Sequence, residues 1–260
     1  MKITKKKRNN RTERRGIYVL PNLFTSASLF SGFYSIIAAI HGEYETAAIA
    51  ILVSCVFDGL DGKIARLTKA TSEFGGEYDS LSDLVAFGVA PALLAFQWIL
   101  EPFGRLGWLA CFMYVICGAL RLARFNVQRN SLEADYFKGL PIPAAAGLIA
   151  SLVLFTTALG DFSGSKHIVI ILLYVLSFLM VSTVDYLSFK EFELKKRRPF
   201  NVLVASILVF TVIAYKPKIM LFLILAIYIL SGPLISAHLF HKRRAMARNL
   251  PEEVVPAEKH

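Results

Sequence analysis

Four aspartates stand in one otherwise apolar part of this chain: Asp58, Asp61, Asp79 and Asp83, within the run FDGLDGKIARLTKATSEFGGEYDSLSD. A single carboxylate in a membrane helix is costly, and ionisable residues placed there mark functional sites by default. On a helix Asp58 and Asp61 are i, i+3, and Asp79 and Asp83 are i, i+4, so each pair shares one face. Two helices packed side by side bring all four carboxylates to one point, where a bound cation would compensate them. From the residues alone three readings stay open. The acids could hold a divalent metal, line the ion or proton path of a transporter, or pair with Arg66, Arg121 and Arg124 as structural salt bridges.

The surrounding chain is that of a polytopic helical membrane protein. Its residues are 55% hydrophobic and only 18% charged, and the mean hydropathy is +0.54. A soluble domain of this length is rarely so apolar, and several runs reach the roughly 20 residues that span a bilayer. The pattern predicts an all-α fold with about eight transmembrane helices, near 20–41, 45–67, 79–100, 107–127, 141–159, 167–187, 200–215 and 218–238. The basic stretch 1–16 forms a cytoplasmic N-terminal segment, 17–190 a six-helix core, 191–240 two further spans, and 241–260 a basic and polar tail. No cleavage site for a signal peptide follows the basic N-terminal stretch.

The net charge of +10 invites a nucleic-acid reading, but its distribution argues against one. With both termini in the cytoplasm and eight spans, 25 of the 29 Lys and Arg residues fall inside. Only Arg105, Lys166, Lys216 and Lys218 fall outside. That is the positive-inside rule, joined to attraction for anionic lipid. Cys55, Cys111 and Cys117 show no paired spacing and read as small packing residues. The histidines His41, His167, His238, His241 and His260 lack metal-ligand spacing.

Other segments flank the acids. In LPNLFTSASLFSGF, Ser26 and Ser31 read as close-packing residues, while Asn22 and Thr25, near the cytoplasmic end, are site candidates. Gly59, Gly62 and Ala65 either pack helices closely or leave room for a bulky ligand beside the aspartates, and Gly75 and Gly76 are expected in a loop that turns the chain. Arg121 and Arg124, i and i+3 at the end of the fourth span, can take a carboxylate or phosphate in a bidentate fork. Alternatively they snorkel to lipid phosphates. Asn126 stands beside them, and Lys190 follows the sixth span. Pro141 and Pro143 fix a rigid entry to the fifth.

The run from Asp58 to Asp83 reads D-x2-D-G-x2-A-R-x8-G-x3-D-x3-D. It matches the signature of the CDP-alcohol phosphotransferase family, whose shared core resembles the first six spans. Within the family the chain resembles the bacterial integral-membrane phosphatidylserine synthases, through RGIYVLPNLFT, EYDSLSDLVAFGVAPA, LRLARFN, GLPIPAAAG and SFKE, over about residues 16 to 235. The resemblance implies an enzyme that moves a phosphatidyl group from CDP-diacylglycerol to the hydroxyl of L-serine and releases CMP. Glycerol 3-phosphate or inositol is the alternative acceptor, and a cation-coupled transporter the alternative outside the family. It implies two divalent ions, Mg2+ or Mn2+, on Asp58, Asp61 and Asp79. Asp83 would be the general base and also a metal ligand. Asn22, Thr25, Gly62, Ala65, Arg66 and Gly75 would surround the CDP-lipid, and Arg121, Arg124, Asn126 and Lys190 are the candidates for serine. The expected setting is the bacterial inner membrane, with the site at the cytoplasmic face and a homodimer allowed. All-oxygen donors without His or Cys suit Mg2+ or Mn2+.

Overall fold

A computed structural model of the chain describes residues 19–68, 72–128, 137–160, 166–186, 204 and 215–248. The described residues are helical almost throughout. The helices are α1 (Val19–Ile40), α2 (Tyr44–Leu67), α3 (Glu73–Phe103), α4 (Arg105–Gln128), α5 (Ile142–Leu159), α6 (Lys166–Val181) and α7 (Pro217–Arg248). Five of them, α1, α3, α4, α5 and α7, contain stretches long and apolar enough to cross a membrane, and the protein is multi-pass. Helix α2 has the length, 24 residues, but carries Asp58, Asp61, Lys63 and Arg66 in its last turns. Helix α6 is apolar but has 16 residues. The span expected over 200–215 lies outside the described residues except at 204 and 215.

Helices α1 and α2 form a hairpin closed by a ladder of serines. The Ser28 and Ser54 hydroxyls are 2.7 Å apart, and Ser54 also donates to the Ser28 carbonyl at 2.9 Å. Ser31 donates to the Ala50 carbonyl and Ser35 to the Ala47 carbonyl, both at 2.8 Å. Small residues let the helices approach, and the hydroxyls then bond across, each such bond worth about 0.6 kcal/mol in membrane proteins. At the far end of α2 from the aspartates, Glu45 pairs with Lys218 of α7. Sixteen residues of helix, roughly 24 Å, separate that ion pair from Asp61.

Helix α3 packs against α1 and is not regular. Directly after Asp83 it passes through a π-helical turn, Leu84–Val89, and later a second, Phe96–Leu100. Insertions of this kind re-aim side chains and cluster at functional sites. The first lies where α3 touches α1 most closely: a Cβ on Gly32 would stand 2.5 Å from the Ala86 Cα. Helix α3 begins earlier than expected, at Glu73, with Ser72 as N-cap accepting a bond from the Gly75 N–H at 2.9 Å. Gly75 and Gly76 therefore lie in the first helical turn rather than in a loop. The reason for glycine at 75 is space: a Cβ would meet the Ser72 Oγ at 3.0 Å and the Asn22 Oδ1 at 3.3 Å.

The sixth helix ends at Val181, short of the expected 187. The chain then turns and Asp185–Tyr186 (β2) pairs antiparallel with Phe137–Lys138 (β1). Gly139 joins this pairing to α5, with its N–H donating to the Val184 carbonyl at 2.9 Å. It has a φ of 87°, and a Cβ there would lie 2.5 Å from the Met180 carbonyl oxygen, so no other residue fits. Pro141 then caps α5, with Pro143 in the first turn, as expected of proline at a helix start.

Candidate metal centre

The last turns of α2 and the first turns of α3 meet beside α1, and their acids converge there. One carboxylate oxygen each from Asp58, Asp61 and Asp79 lies within 4.8 Å of the others. Oxygens on opposite sides of a six-coordinate Mg2+ stand about 4.2 Å apart, so this spread is close to what one hard cation needs. The set is carboxylate only, and Asp61 is buried at 5% exposure. Three carboxylates at such range repel strongly in a low dielectric, and a divalent ion is the partner that relieves this. The residues present thus fit the group. Asp83, one turn beyond Asp79, lies beside Asp58 and joins the acid cluster. The spacing argument placed all four together, and the structure brings them together.

Helix α1 contributes the groups that aim the acids. The buried Thr25 hydroxyl donates to the Asp61 Oδ2 at 2.8 Å, which orients the carboxylate. Ser26 and Tyr78 hydroxyls meet at 2.9 Å and tie α1 to the turn carrying Asp79. Asn22 and Gly75 come side by side. On α2, nothing stands within 4 Å of a Cβ built on Gly59 or Gly62. This face next to the aspartates is open, as room for a large ligand requires. Ala65 lies half-buried on the following turn. The Arg66 side chain and the whole of Lys190 lie outside the described residues.

The sequence model of the CDP-alcohol phosphatidyltransferases matches residues 18–181. The chain belongs to that family. Among its relatives, a protein of Helicobacter pylori named CDP-diacylglycerol--serine O-phosphatidyltransferase is 39% identical over 217 residues, which is 83% of this chain and 90% of the relative. One of the same name from Bacillus subtilis is 33% identical over 172 residues, 66% of this chain and 92% of the relative. An archaetidylserine synthase of Methanothermobacter thermautotrophicus is 38% identical over 169 residues, 64% and 69% of the two chains.

In this CDP-alcohol phosphatidyltransferase the two arginines of α4 part company. Arg121 turns inward: its electrostatic neighbours are Asp83, Tyr228 and Asp58, and its Nε is buried without a hydrogen-bond partner among the described residues. Arg124 instead donates from Nη1 to the Val181 carbonyl at 3.2 Å. It caps the C-terminus of α6, where cations are favourable. Asn126 is also engaged within the protein. Its Nδ2 donates to the Ser80 Oγ at 3.0 Å and the Glu77 Oε2 at 3.3 Å. That bond set clamps the acid-bearing turns of α3 to α4. Sequence reasoning missed Tyr78, Ser80 and Glu77, although their spacing around Asp79 on one helix was a usable signal.

Proposed function

We propose that this protein is a phosphatidylserine synthase, transferring the phosphatidyl group of CDP-diacylglycerol to the hydroxyl of L-serine and releasing CMP. The observation that carries this is the three-aspartate cluster in a chain whose relatives of matching length bear that enzyme's name. Asp58, Asp61 and Asp79 hold Mg2+ or Mn2+, two ions in all, with Asp83 at the edge of the set. When bound, such ions supply charge neutralisation at the pyrophosphate and at the departing CMP. The open face at Gly59 and Gly62, with Asn22, Ala65, Arg66 and Gly75, accommodates the cytidine diphosphate.

Asp83 takes the proton of the serine hydroxyl, whose oxygen is a poor nucleophile until then. The new O–P bond forms at the lipid-side phosphorus as the bond to CMP breaks. Arg121, inward and with its Nε unpaired among the described residues, takes the serine carboxylate in its planar fork. Residues 17–190 are the catalytic core, and the site opens to the cytoplasmic face of a bacterial inner membrane. The distribution of Lys and Arg supports that side, and so does the position of the acids at the end of α2 opposite the Glu45–Lys218 pair.

The test is CMP release from CDP-diacylglycerol by the purified protein, with L-serine, glycerol 3-phosphate and inositol offered separately. Serine-dependent release that EDTA abolishes and Mg2+ or Mn2+ restores is the expected result. Full activity in EDTA would remove the metal reading, and release with another alcohol alone would replace the acceptor.

A further inference from the structure

The family match ends at residue 181, yet a residue beyond it comes near Arg121. Helix α7 lies against α5, with Phe222 stacked on Phe155 at 4.7 Å between ring centroids and Leu225 against Gly147. Its rotation about its own axis is fixed by β2. The buried Tyr186 ring fills the place where Gly232 has no side chain: a Cβ there would be 2.3 Å from the ring. The Tyr186 hydroxyl donates to the Ile229 carbonyl at 3.4 Å. So held, α7 sets Tyr228 beside Tyr186, with ring centroids 5.9 Å apart, and turns it toward Arg121, of which it is an electrostatic neighbour together with Asp83 and Asp58.

On this geometry, and resting on the acceptor role given to Arg121 above, we propose that Tyr228 is a positioning residue for substrate selection. Its hydroxyl holds the Arg121 guanidinium on the Asp83 side of the metal centre, ready for the anionic group of the acceptor. The choice of a phenol has a chemical reason. A neutral oxygen can accept from a guanidinium N–H without neutralising the cation, whereas a carboxylate in its place would compete with the incoming anion. Asp58 and Asp83 already draw Arg121 toward the acids, and a third tether from α7 is what keeps the fork from collapsing onto them. The helix added to the family core thus shapes the acceptor pocket, while the core holds the nucleotide.

The experiment compares wild type, Tyr228→Phe, Arg121→Lys and the double variant as full-length protein in lipid nanodiscs, following CMP release. Tyr228→Phe keeps the ring and its packing. It is expected to raise the serine KM at least fivefold, with the CDP-diacylglycerol KM and kcat changed less than twofold. In the Arg121→Lys background the same change should add nothing, since both act through one guanidinium. Tyr228→Leu, which also loses the contact with Tyr186, should in addition lower the thermal midpoint. A wild-type serine KM in Tyr228→Phe overturns the assignment, as do effects of the two substitutions that multiply. A lower midpoint with unaltered serine KM would make Tyr228 a packing residue and overturns it too. If wild type uses a different alcohol, the serine reading falls by itself, and the same comparison on that alcohol decides Tyr228.

Discussion

Replacing Thr25 by valine tests the metal centre through a residue that need not touch the metal. Valine matches the shape of threonine and removes only the hydroxyl that donates to the Asp61 Oδ2 at 2.8 Å. Thr25 is 4% exposed and Asp61 5%, so water does not readily replace the lost donor. A hydrogen bond to a charged group is worth about 1.5–3 kcal/mol. At about 1.4 kcal/mol per factor of ten, that predicts a weakening of metal affinity by roughly 10- to 150-fold. Outer residues that orient metal ligands typically cost about 10- to 100-fold when removed, which agrees. The assay is a Mn2+ titration of CMP release, paired with direct Mn2+ binding by electron paramagnetic resonance. Turnover at saturating metal should recover most of its wild-type value, and Thr25→Ser should restore the affinity. An unchanged Mn2+ dependence in Thr25→Val would refute the claim that this hydroxyl aims a metal ligand.

Asp83→Asn should fold and still bind CDP-diacylglycerol, while turnover falls by about 10^2 to 10^4, as for a lost general base; a loss smaller than about tenfold would make Asp83 a spectator. Arg121→Lys should raise the serine KM about tenfold or more, whereas Arg124→Lys should leave it unchanged and lower only the thermal midpoint. Parallel rises in both substrates' KM for Arg121→Lys would move that residue to the pyrophosphate. Gly32→Ala should destabilise the protein by about 1–3 kcal/mol, because its Cβ would press on the Ala86 backbone; an unaltered midpoint in detergent unfolding would show that α1 and α3 can separate there.

The acid cluster was legible because two helical periodicities and the expense of charge in a membrane both act on the same four residues. Their convergence needed only that α2 and α3 lie near each other. What the sequence did not disclose was which polar neighbour serves which acid. Thr25 looked like a ligand-facing residue and is the hydrogen-bond donor to Asp61, because pairing across 36 positions depends on the rotation of α1 against α2. Gly75 was expected in a loop, but it sits in a capped helical turn where a side chain would press on Ser72. Arg121 and Arg124 share a helix face to within one turn, and only the end of α6 distinguishes them by offering a free carbonyl to the second. Tyr228 lies in a mostly apolar stretch, and nothing local to it announces that it comes near Arg121, more than 100 positions away.

The serine ladder between α1 and α2 bears on the order in which the protein assembles. Ser28, Ser31, Ser35 and Ser54 satisfy one another's helices within a single hairpin, so that hairpin can settle into lipid as a paired unit before any later helix emerges from the ribosome. It arrives carrying Asp58 and Asp61, with Thr25 already against the second. Asp79 and Asp83 follow only with α3. The hairpin by itself offers two carboxylates, too few to sequester an ion tightly, so a cation bound by the cluster would wait for the third helix. If the cluster holds an ion, biogenesis and metal loading would be coupled: a nascent chain stalled before α3 would present the hairpin without Asp79 and Asp83, and the close approach of α3 to α1 at Gly32 and Ala86 would complete the set.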